Sequence, residues 1–138
     1  IRLGRDLGTE IRRRKSTAWV WCGREVKVID GTGVSMPDTE TNQKRWPQPC
    51  GQKEGCGFPT AEIVGVFCLH TGALLNWVQS KWSQHEASLW QHLWRFFKEG
   101  DIILGDRAYC SYASMVWLKE RGVDTVCRMH QRRRSDFR

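Results

Sequence analysis

The sequence predicts an α/β fold, a mixed β-sheet with helices on its faces. Three observations carry that expectation. The segment EVKVID at 25–30 alternates with period two and closes on an acid. Two apolar runs, at 61–70 and 73–82, flank a Thr-Gly turn and read as a hairpin. Two short apolar strands, IILGD at 102–106 and VDTVCRM at 123–129, each follow a helical pattern, which makes them parallel crossovers.

Residues 1–17 are basic and mostly polar, and are read as the end of an upstream helical region or as a basic arm, so the domain is expected over 18–138. In the first strand, Val26, Val28 and Asp30 share one face, and Lys27 and Ile29 share the other. Residues 31–59 are rich in Gly, Pro and polar side chains, a connection longer than a compact domain usually tolerates without a use. AEIVGVFCLH at 61–70 is nearly all apolar, as a central strand requires. ALLNWVQSKW at 73–82 returns beside it. A helix is expected next: Ser83 and Glu86 have capping-box spacing, and Leu89, Trp90, Leu93 and Phe97 fall on one helical face. Trp94 and Phe96 widen that face, and Trp90 and Trp94 are assigned to packing. After IILGD, Ser111 is the N-cap of a second helix carrying Tyr112, Met115 and Val116, with Gly122 as its stop.

The first three strands suit an antiparallel meander, and the last two join it in parallel. The ribonuclease H-like sheet is one such layout. It makes the first strand central and places the fourth beside it, about 4.8 Å away. The ends of those strands carry Asp30 and Asp106. Two close carboxylates repel, and each raises the other's pKa. A divalent cation relieves that repulsion; oxygen ligands suit Mg²⁺, with Mn²⁺ as its substitute. Two such ions about 4 Å apart support phosphodiester chemistry, which needs a further acid. The plain alternative keeps Asp30 and Asp106 as separate turn residues.

Composition bounds the partners. The chain has 138 residues, 22 Lys and Arg against 15 acids, and a net charge of +7, which fits a polyanion such as DNA. No apolar run is long enough to cross a membrane. The start at Ile1, with no Met before Met36, and the charged close HQRRRSDFR mark the chain as an expected fragment. The six cysteines are read as reduced thiols, since Cys68 and Cys127 lie in apolar strands. Cys50 and Cys56 lack zinc-ribbon spacing, and His85 with His92 supplies only two ligands.

VIDGTGVSMPDT, QKEGCGFP, GDRAYCSYA and RMHQRRRSDF, in this order, closely resemble DDE-type transposases of bacterial insertion sequences, specifically the insertion sequence 4 family. The resemblance covers residues 19–138. It implies a ribonuclease H-like core that cuts transposon ends and transfers them into target DNA with Mg²⁺, in the bacterial cytoplasm at the nucleoid. Asp30 matches the family's first catalytic aspartate and Asp106 its second. The third catalytic residue, a glutamate following a β-rich insertion, has no counterpart in this chain; Glu120, Asp124 and Asp136 are all misplaced for it. The resemblance therefore implies a catalytic domain truncated at its C-terminus, inactive or nearly so alone, and a homodimer in the full-length protein. Two positions depart from the family pattern: Gly33 stands where Thr is common, and Ala108 where Gly is common.

Arg107 is assigned to a DNA phosphate, with pairing to a nearby acid as the alternative. Lys44, Arg45 and Lys53 are assigned to salt-sensitive phosphate binding. Trp46, among them, is expected against the core. Arg132, Arg133 and Arg134 either join that contact or form a solvated run, and His130 is placed facing DNA. Three rival functions stay open: a non-catalytic DNA-binding remnant, a self-contained ribonuclease H-like nuclease requiring a third acid, and a structural Cys/His metal module.

Overall fold

The computed structural model describes residues 2–14, 20–51, 53, 55–82, 86–129 and 131. Ser83, His85, His130, Arg132, Arg133, Arg134 and Asp136 lie outside them, and with them the capping box and the basic run. The elements are α1 (Arg2–Arg13), β1 (Val26–Ser35), α2 (Glu40–Arg45), β2 (Thr60–Cys68), β3 (Leu74–Lys81), α3 (Glu86–Leu89), β4 (Ile102–Gly105), α4 (Tyr112–Glu120) and β5 (Asp124–Cys127). Among the described residues two 3₁₀ segments intervene, Trp90–Phe96 after α3 and Arg107–Tyr109 after β4.

One five-stranded sheet has the order β3-β2-β1-β4-β5. β1 and β2 are antiparallel from Lys27↔Cys68 to Ser35↔Thr60, and β2 and β3 are antiparallel with one irregularity between Val66 and Phe67. β1 and β4 are parallel from Val26↔Ile102 to Val28↔Leu104, and β4 and β5 are parallel from Ile102↔Asp124 to Gly105↔Cys127. This is the expected mixed α/β sheet, an antiparallel meander extended by two parallel strands, and it is consistent with a ribonuclease H-like domain.

One face of the sheet carries the core. Ile29, Val64, Val66 and Ile103 pack against Leu89, Trp90, Leu93, Tyr109, Leu118 and Val123. Lys27 shares that face with Ile29, and its ammonium forms a buried ion pair with Asp101. The backbone amide of Lys98 also donates to that carboxylate, at 2.7 Å.

Three elements differ from their expected form. The first strand does not end at Asp30. It continues to Ser35, because β2 is long enough to pair with all of it; only the parallel partner stops. The aromatic helix is α-helical only over Glu86–Leu89, then tightens into 3₁₀. A three-residue period eclipses Trp90, Leu93 and Phe96, and turns all three toward the core. The long loop contains α2, whose N-cap Thr39 accepts from the amide of Asn42 at 3.2 Å. Gln43 and Gln48 tie the rest together: Gln43 Nε2 donates to Asp38 at 2.7 Å, and Gln48 Oε1 accepts from the Gly57 amide at 3.2 Å.

Gly122 ends α4 as expected, at a φ of +71°. α1 lies along β3, with Gly8 against Leu75 and Ala73. None of the six cysteines is in a disulfide. Among the described residues, no helix is long and apolar enough to cross a membrane.

Candidate active site

Asp30 lies where β1 parts from β4. Its position is fixed by the pleat: Val26, Val28 and Asp30 face away from the core, and Lys27 and Ile29 face into it. Its Oδ1 accepts from the amide of Gly31 at 2.9 Å. Asp106 is the first residue past β4 and caps the 3₁₀ turn, its Oδ1 accepting from the Ala108 amide at 2.7 Å. Ala108 keeps a negative φ, so the alanine at that position brings no backbone strain.

Val28 pairs with Leu104, so Asp30 and Asp106, each two residues on, emerge on the same face of neighbouring strands. They border one shallow depression of about 410 Å³, floored by Val28, Leu104 and Val126. Both acids are exposed. In each, one oxygen is tied to a nearby amide. Neither has a cationic side-chain partner among the described residues. Oxygen donors of this kind fit a hard divalent cation. Among the described residues, no cluster of three or more His, Cys, Asp or Glu forms a complete metal site.

Arg128 borders the same depression and was not singled out in the sequence. Its amide donates to Gly105 at 3.3 Å, which carries the β4–β5 register one residue past the strands. Alternation alone sets Arg128 on the face of Val126; that this face also bears Asp106 follows only from the β4–β5 register. Beneath the turn, the Cys127 thiol is pushed up in pKa by burial first, then by Cys110 and by the charge of Asp106.

The other assigned cations stand elsewhere. Arg107 is exposed on the 3₁₀ turn, without a carboxylate partner among the described residues. Lys44 pairs with Glu40 at 2.7 Å along α2, and the Arg45 guanidinium stands 5.5 Å from the Trp46 ring centroid. Trp46 is half-buried and anchors the loop, its carbonyl accepting from the Thr60 amide at 3.2 Å. Lys53 is exposed, and its carbonyl accepts from Gln48 at 2.9 Å. A recess of about 610 Å³ beside α2, bordered by Asp38, Glu40, Gln43 and Cys50, is separate from the two acids.

A family model described as "Transposase DDE domain" matches residues 21–138. No curated protein and no solved structure matches the chain.

Proposed function

The chain belongs to the transposase DDE domain family, and from that premise we propose that Asp30 and Asp106 are two of the acids that hold its divalent metal during DNA cleavage. One observation supports the reading above others. Both carboxylates border a single depression, each with one oxygen held by the backbone and neither neutralised by a cation among the described residues. The family is one of DNA transposition enzymes, which bind DNA and typically use a divalent metal.

The finer proposal is that of an insertion sequence 4 transposase, which cleaves transposon ends and transfers strands to target DNA. Mg²⁺ is the natural ion for these oxygens, with Mn²⁺ in its place in experiments. When bound, two such ions supply an activated nucleophile and stabilise the leaving oxygen. The chain's own residues do the rest. The backbone ties on Asp30 and Asp106 limit their rotation, so their remaining oxygens are presented together. Arg128 at the rim, and Arg107 on the turn above, attract the phosphate to be cut. Lys44, Arg45 and Lys53, in the connection that follows β1, bind DNA. The third acid is a glutamate outside these 138 residues, and the working enzyme is a homodimer in the bacterial cytoplasm, at the nucleoid.

A Mn²⁺ titration of the wild-type chain beside Asp30→Asn and Asp106→Asn, read by calorimetry or water relaxation, tests this. Binding abolished by either single change is the expected result. Binding that survives either change would rule out a shared site. A purely DNA-binding remnant is distinguished by the same variants, because its DNA affinity would not respond to Mg²⁺.

A further inference from the structure

β1 overhangs its parallel partner, and its exposed edge has a defined chemistry. The Glu25 carbonyl accepts from Ile102 on the β4 side, while the Val26 carbonyl accepts from Leu69 on the β2 side. Backbone groups alternate sides along a strand, so the odd-numbered residues of β1 face β4. The unbroken register with β2 carries that alternation through Ser35. Beyond Val28, no described strand pairs with the β4 side of β1. The amides and carbonyls of Gly31, Gly33 and Ser35 therefore point out of the sheet, beginning at Asp30 and running about 17 Å at roughly 3.3 Å per residue. Asp30 itself takes the first amide, that of Gly31.

Gly33 has a neighbour that a side chain would displace. A Cβ there would stand 2.9 Å from Cζ3 of Trp82. Trp82 follows β3, and its indole reaches across β2 to Gly33, on the sheet face opposite Asp30. Trp82 is nonetheless 46% exposed. Glycine at this position thus leaves room for a tryptophan at the open edge. The connection that follows β1 carries Lys44, Arg45 and Lys53.

We infer that the overhanging edge of β1, together with Trp82, is a binding surface for a single DNA strand. The amides of Gly33 and Ser35 donate to phosphate oxygens, and an unstacked base rests on the Trp82 indole. The inference rests on the reading of Asp30 and Asp106 as the cleavage site, since one strand carries both features. The competing occupant is a β-strand of another polypeptide pairing with the edge. The exposed Trp82, the cations of the connection that follows β1 and the net charge of +7 favour nucleic acid.

The test uses the whole 138-residue chain in EDTA, with a single-stranded oligonucleotide carrying 2-aminopurine and a duplex of the same sequence. The variants are Trp82→Ala, Trp82→Phe and Gly33→Thr; the last keeps the indole but drives it from its seat. Single-strand affinity should fall on the order of tenfold in Trp82→Ala and Gly33→Thr, with loss of 2-aminopurine quenching. Trp82→Phe should retain most of both, and duplex affinity should change far less. Unchanged single-strand affinity and quenching in Gly33→Thr, even if Trp82→Ala does not fold, would overturn the inference. So would self-association of the wild type that the oligonucleotide does not displace, since this marks strand pairing. The metal titration needs no DNA, so a failure of the acid-pair reading would appear there and not here.

Discussion

Tyr109 packs directly on Gly105, the last residue of β4: a Cβ at Gly105 would stand 3.0 Å from the Tyr109 Cβ and 3.1 Å from Cγ2 of Ile29. Gly105 precedes Asp106, so this contact sets the height of the turn that presents the second acid. Gly105→Ala is expected to destabilise the chain by about 1–3 kcal/mol through overpacking. It should also weaken Mn²⁺ binding more than its effect on stability explains. Urea denaturation beside a metal titration measures both; a stability loss with unchanged metal affinity would separate the turn from the site.

Lys27 and Asp101 are nearly buried, so removing one partner strands the other. Lys27→Met or Asp101→Asn alone should cost about 3–5 kcal/mol, and the double variant distinctly less than the sum. A double-mutant cycle by chemical denaturation reads the coupling. Additive effects would mean that the two groups do not depend on each other.

Asp124 joins β5 to two cations, Lys119 at 2.6 Å and Arg24 at 2.6 Å. Lys119, then Arg24, holds its carboxyl below the ordinary value of 3.8. A depressed folded pKa gives stability that is fully present above the unfolded value and is lost as pH falls through the folded one. The wild type should therefore lose stability below pH 3.8 more steeply than Asp124→Asn. The pair is well solvated, so the difference at neutral pH is about 0.2–1 kcal/mol and shrinks with salt. Denaturation midpoints across pH 2–6 check this, and parallel profiles for the two proteins would contradict it.

Cys127 is half-buried with its thiol pKa raised, whereas Cys22, Cys50 and Cys56 are exposed. Iodoacetamide near pH 8 should modify those three well before Cys127, because only the thiolate reacts. Asp106→Asn removes one of the charges that raise this pKa, and should speed labelling of Cys127 modestly. Mass-spectrometric labelling rates measure both effects. Equal rates in wild type and variant would place Asp106 too far away to matter.

Much of this was legible in the residues. The alternation in EVKVID set the faces of β1, and the helix before IILGD pointed to a parallel β4; topology alone left Asp30 and Asp106 either as a pair or as separate turn residues, and the structure sets both at one depression. What was not legible depended on partners distant in sequence. EVKVID ends in an acid, and nothing local says that β2 will hold the chain extended to Ser35. Lys27 reads as a polar interruption until Asp101 is brought beneath it. Arg128 needed the β4–β5 register, and the seat of Trp82 on Gly33 needed two strands to be aligned across a third. The shift to 3₁₀ at Trp90 was hidden because the same aromatic residues satisfy either period nearly as well.

The pleat of β1 has one more effect. A one-residue slip against its neighbours would bury Asp30 and Val28 where Ile29 and Lys27 belong, and would turn Ile29 out to water. Asp101 would lose its ammonium partner at the same time. The charge by which we propose Asp30 holds a cation thus also penalises each odd-residue slip of the central strand, and one carboxylate would serve both the chemistry and the proofreading of the sheet.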